Sequence, residues 1–134
     1  MIAALLLVIS LAAVAQFALF YWRAVLAGVA AQPLSERFRE ATQLGEVAMQ
    51  AGNFDAIVNL NDMTPELKIG NGRLCAVRMY YNAVEALNRM AGKLMPQVGT
   101  WSEREMATCT RYVAVRVDQR MARNLECAAA LRSC

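Results

Sequence analysis

The chain contains no histidine. That absence removes the side chain most used for general acid–base catalysis and for binding transition metals. Lysine is nearly missing too, since Lys68 and Lys93 are the only two in 134 residues. The four cysteines, Cys75, Cys109, Cys127 and Cys134, form no C-x-x-C pair. Neither a zinc site nor a thioredoxin-type motif is therefore signalled. There is no Gly-rich phosphate loop and no nucleophile elbow. The carboxylates have simpler explanations than catalysis. Asp55, Asp62 and Glu66 flank expected helix ends, Glu103 and Glu105 suit a first helical turn, and Asp118 lies seven residues after Arg111. These absences lead us to expect a non-enzymatic protein with no cofactor and no metal. A large basic excess is also lacking. The net charge of +3 is far from the one-sided basicity of nucleic-acid binders, so no nucleic-acid partner is expected.

What the chain does have is apolar bulk. Its hydrophobic fraction is 57%, against about 45–50% in an ordinary soluble domain. The excess sits at the start, where residues 1–31 hold no acid and a single base, Arg23. Ile2–Phe20 reads IAALLLVISLAAVAQFALF, with Ser10 and Gln16 as its polar members. A helix needs roughly 20 apolar residues to cross a hydrocarbon core of about 30 Å. Tyr21, Trp22 and Arg23 follow as an interfacial set, two amphipathic rings at headgroup depth and a guanidinium that reaches water. The apolar pattern runs on to Ala31 and stops at Gln32-Pro33. We expect residues 1–31 to be a transmembrane anchor helix, touching lipid through residues 2–22. Two alternatives compete. Ala13-Val14-Ala15 and Val29-Ala30-Ala31 fit a signal-peptide cleavage site, although no basic n-region precedes them. A buried core helix is the other, but the run is long for so small a domain.

Arg23, Arg37 and Arg39 lie C-terminal to the span, so the positive-inside rule favours a cytoplasmic C-terminal domain. An even number of cysteines favours the opposite, an oxidising periplasmic or extracellular space.

Residues 34–134 read as a small antiparallel helical bundle, making the chain all-α. Ser35 is placed to cap a helix to about Gln50, which Gly52-Asn53 ends. Phe54 to about Asn61 forms a short helix with Phe54, Ile57, Val58 and Leu60 available for packing. Thr64-Pro65-Glu66 looks like a further start, cut off at Gly70-Asn71-Gly72. Residues Leu44–Pro65 resemble one tetratricopeptide unit at Leu44-Gly45, Gly52, Phe54 and Pro65. The spacing is one residue short and there is no second copy, so an ordinary helical hairpin is the simpler reading. Arg73–Leu94 carries a stripe of Ala76, Tyr80, Ala83, Leu87, Met90 and Leu94 at helical steps, which predicts its core face. Ser102, followed by Glu103 and Glu105, predicts the start of the last helix. The Val113–Val117 run has strand-like alternation but no strand partner. Seven methionines after residue 31 are expected to fill the core.

Two surface features remain. Cys109 and Cys127 are eighteen residues apart, about five helical turns, and Cys134 is close to the same line. Thiols on one helix cannot bond each other across that distance, so each would need a partner elsewhere, with Cys75 opposite about residue 119. Arg116, Arg120 and Arg123 form a basic face nearby, where a guanidinium would stabilise a thiolate. The leading expectation is a membrane-anchored module that binds another protein or itself, as an accessory subunit of a membrane complex. The alternatives are a thiol-based redox regulator and a disulfide-stapled periplasmic or secreted domain.

Overall fold

The computed structural model describes residues 1–42, 53–63 and 71–132. The described residues form helices and contain no strand: α1 (Ile2–Ala30), α2 (Glu36–Thr42), α3 (Phe54–Met63), α4 (Asn71–Ala91) and α5 (Pro96–Arg132). The all-α expectation holds. Most of the tetratricopeptide-like stretch, the Thr64-Pro65 start and Cys134 lie outside the described residues.

At 37 residues, α5 is about 55 Å long and is the spine of the fold. Helices α1, α3 and α4 all pack on it. That surrounding explains the valine run. Val113, Ala114, Val115 and Val117 are all buried, because neighbours cover more than one face of the helix. Tertiary burial outweighs the small helix penalty of β-branched residues.

Three sequence expectations are corrected. The last helix begins at Pro96, six residues before Ser102. Proline at the first helical position lacks only an N–H that has no helical partner there, and its φ is already helical. Ser102 is buried inside the helix and donates its hydroxyl to the Gly99 carbonyl at 2.8 Å. Glu105 is thus no first-turn acid. The core face of α4 is also turned by one residue. Val77, Tyr81 and Val84 are buried, while Met90 and Leu94 are 78% and 83% exposed. The two overlapping stripes are resolved by α3, whose Phe54 ring stacks on Tyr81 at 3.9 Å between centroids. Finally, most of the methionines are not core. Met106 is buried and Met121 half-buried, but Met63, Met79, Met90 and Met95 are exposed.

α3 packs as its sequence suggested, with Phe54, Ile57 and Val58 buried and Leu60 against the cluster. Ser35 does cap α2, accepting from the Phe38 N–H at 3.2 Å. Its own N–H and hydroxyl donate to the Asp118 carboxylate at 2.8 and 2.5 Å, which fastens the start of α2 to α5.

α1 is two things in succession. Residues 2–21 are exposed along their whole length, and an 18-residue window reaches a mean hydropathy of 2.5. Leu26 and Ala30, farther along the same helix, are buried in the domain. Arg23 meets Glu105 and Gln32 meets Gln119, so α1 and α5 run in the same direction. α4 runs back antiparallel to α5. Its C-terminal end and the turn at residues 92–95 therefore lie at the end nearer the apolar half of α1.

Candidate functional site

The contacts of α1 begin where its apolar stretch ends. Tyr21 is exposed, and Trp22 is half-buried against the core. Arg23 does not simply reach into water. Its guanidinium pairs with the Glu105 carboxylate and lies 5.6 Å from the centroid of the Trp101 ring. The Tyr80 hydroxyl donates to the other Glu105 oxygen at 3.0 Å. One side chain from each of α1, α4 and α5 thus meets at a single carboxylate. Burial pushes the Tyr80 phenol well above its ordinary value, and the hydrogen bond to Glu105 and its charge push it further. Tyr80 stays protonated and donating throughout the physiological range. The node joins the three helices.

The basic face resolves into a cavity of about 410 Å³. Arg116, Arg120 and Arg123 line it from α5, and Arg73 joins them from the first turn of α4. Asn61 forms part of the wall from α3, and Leu74, Tyr112 and Gln119 complete it. Arg120 donates to Asn61 Oδ1 at 2.8 Å, and Arg116 to Gln119 Oε1 at 3.4 Å. The Arg116 guanidinium also lies 5.5 Å from the centroid of the Tyr112 ring. Among the described residues, no Asp or Glu lines the cavity. Arg73 could not be assigned to this face from sequence, because no spacing rule links residue 73 to residue 116 across two helices.

The cysteines are not gathered. Cys75 and Cys127 are exposed and Cys109 is buried, and all three are free thiols. Burial, with a smaller contribution from Glu105, pushes the Cys109 thiol up to about 12. Cys109 therefore remains a neutral packing residue, remote from the thiolate character that reactivity needs. The sequence placed residue 75 opposite about residue 119, and Leu74 does share the cavity wall with Gln119. Among the described residues, no three of Cys, Asp and Glu come close enough to hold a metal ion.

A second concavity of about 470 Å³ lies between α2 and the far part of α5. Phe38, Met121, Leu125 and Ala129 make it mostly apolar, with Arg37 and Glu126 beside it. Beyond Met121, α5 is exposed except at half-buried Asn124.

These features define an all-α protein with one N-terminal helix long and apolar enough to cross a membrane. Comparison with protein-family models, curated proteins and solved structures found no match.

Proposed function

We propose that this chain is a membrane-anchored, non-enzymatic helical module that binds another protein, as an accessory subunit of a membrane complex. The observation that carries the reading is the far end of α5. From residue 122 to residue 132 it runs on as an exposed helix, with Leu125 at 54% and Leu131 at 80% exposure beside an apolar groove. An exposed helical end beside an apolar groove offers a partner helix a surface to lie on. The anchor supports the same reading. Residues 2–21 leave leucine, isoleucine, valine and phenylalanine side chains uncovered, and each is worth about 1.5–3 kcal/mol when transferred from water to an apolar phase. A bilayer supplies that phase. Because Leu26 and Ala30 lock α1 into the core, α5 is held at a fixed direction from the membrane rather than on a loose tether. The arginines at 23, 37 and 39 favour a cytoplasmic domain by the positive-inside rule.

The test is native electrophoresis of mildly solubilised membranes, comparing wild type with a Leu125→Glu/Leu131→Glu double variant. Both side chains are exposed, so the variant keeps its helical content by circular dichroism. Wild type is expected in a larger species and the variant as a smaller one, with both pelleting with carbonate-washed membranes. A wild-type chain that runs as a free monomer would count against partner binding. Release by carbonate would count against the anchor.

A further inference from the structure

The geometry points to the four-arginine cavity as a binding site for a soluble compound carrying a di- or triphosphate. Three observations converge on it. The first is charge without compensation. Arg73, Arg116, Arg120 and Arg123 bring four permanent positive charges to one cavity, and among the described residues no carboxylate lines it. Asp62 is adjacent to Asn61 and receives its amide at 3.5 Å, but it is not part of the wall. Like charges at i, i+4 and i, i+3 on one helix repel, so Arg116, Arg120 and Arg123 weaken α5 unless an anion joins them. The second observation is orientation. The polar partners of Arg116 and Arg120 inside the cavity are neutral amide oxygens, from Gln119 and Asn61. An amide oxygen fixes the direction of a guanidinium without cancelling its charge, and each guanidinium has five N–H donors. Donors therefore remain for an anion, and a fork of guanidiniums matches phosphate oxygens in pairs. The third is the helix end. Arg73 and Leu74 belong to the first turn of the 21-residue α4, where the positive pole of the helix adds to the field.

Size and height select the ligand. A cavity of about 410 Å³ falls within the usual range of about 300–1,000 Å³ for small-molecule sites and has room for more than one phosphate. Four guanidiniums match the three to four negative charges of a diphosphate or triphosphate group. Leu74 and the Tyr112 ring give the wall apolar patches against which the rest of such a ligand can rest. The source follows from the direction of α5, and this step rests on the anchored reading. Arg23 and Glu105 mark the membrane-proximal end. Arg116 to Arg123 are eleven to eighteen residues farther along α5, about 16–27 Å at the helical rise. Headgroups of the anchoring bilayer do not extend that far, so the ligand comes from solution.

The test uses the full chain in phosphatidylcholine nanodiscs, titrated calorimetrically with pyrophosphate and with ATP. Saturable binding of at least one is expected, weakening as salt rises. Arg73→Gln/Arg123→Gln removes two exposed guanidiniums and is expected to weaken binding about tenfold for each arginine lost. Arg111→Gln removes an equal charge from an exposed position outside the cavity and is expected to leave binding unchanged. As a measurement free of any variant, pyrophosphate is expected to protect Arg73 and Arg123 of the wild-type protein from phenylglyoxal. Doping the nanodiscs with phosphatidylinositol 4,5-bisphosphate is expected to leave the ATP titration unaltered. Displacement of ATP by that lipid would assign the cavity to headgroups and overturn the soluble source. Absence of binding to both probes, no protection, or equal weakening by Arg111→Gln would overturn the site itself. Carbonate washing reports the anchor independently, so failure of the site and failure of the anchored reading are told apart.

Discussion

Glu105 carries more of the structure than its place in the sequence suggests. Its carboxylate receives Arg23 from α1 and Tyr80 from α4, so one acid joins the helix entering the domain to the central hairpin. Asp118 does the same for the start of α2 through Ser35. Buried Glu105 persists because several donors satisfy it, and half-buried Asp118 likewise takes partners far away in sequence. Cys109 is the opposite case, a titratable group that the fold keeps neutral. Its thiol is pushed from an ordinary value of 9.0 up to about 12 by burial. The folded state therefore holds that proton more tightly than the unfolded chain does. The stabilisation is complete below about pH 9 and is lost progressively as pH rises towards 12. Tyr80 has the same sign and begins to contribute above its ordinary value of 10.0. The urea midpoint is accordingly expected to fall with pH above about 9. Replacing Cys109 with alanine is expected to flatten the first part of that fall, and an unchanged slope would show that Cys109 is not its source.

At the scale of elements, the turn between α4 and α5 is the tightest joint. Gly92 and Gly99 face each other across it, but they differ in what a side chain would meet. A Cβ at Gly92 would come within 2.5 Å of the Asn88 carbonyl oxygen, which belongs to the backbone and cannot swing aside. A Cβ at Gly99 would sit 3.4 Å from the Gly92 carbonyl oxygen, an ordinary contact. Gly99 is inside a helix, where alanine is better than glycine by roughly 0.8–1.0 kcal/mol. Gly99→Ala is therefore expected to raise stability by somewhat less than that figure, and Gly92→Ala to lower it. Thermal unfolding in detergent reports both signs. A stabilised Gly92→Ala protein would mean that the turn is not closed as described. The exposed Leu94 and Met95 in the same turn explain why the hydrophobic stripe of α4 misled. Apolar residues at helical spacing continue past the point where another helix is present to cover them.

For the whole molecule, the parallel course of α1 and α5 fixes the direction of the apolar helix relative to the domain. The domain is joined to the apolar helix through buried Leu26 and Ala30, so the cavity and the far end of α5 project from the same base. Orientation is open to direct measurement. Among the described residues Cys75 and Cys127 are exposed and Cys109 is buried, so a membrane-impermeant maleimide has at least two targets, both on one side of any membrane that α1 crosses. For a cytoplasmic domain, neither is expected to react in intact cells, and both are expected to react after lysis, with Cys109 still protected. Labelling of Cys75 and Cys127 in intact cells would place the domain outside.

The opening stretch was legible because a span of twenty apolar residues leaves the chain few alternatives, and local composition alone sets its length. The all-helical class was legible for a similar reason, since strands need partners and turn signals that this sequence does not offer. Helical periodicity put Arg116, Arg120 and Arg123 on neighbouring turns of one helix. Which residues met across helices was not legible. Periodicity along one helix leaves its rotation about its own axis undetermined when two stripes overlap, and the packing of α4 on α5 together with the stacking of Phe54 on Tyr81 chose between them. The same applies to Arg73 at the cavity and to Arg23 at Glu105, where the decisive proximity spans 43 and 82 residues of sequence between Arg73 and Arg116 and between Arg23 and Glu105. The sequence by itself determined what kind of elements form and that one of them suits a membrane, because those depend on neighbours along the chain. The tertiary structure alone decided which charges share a cavity and how the apolar helix is fastened to the domain, because those depend on neighbours in space.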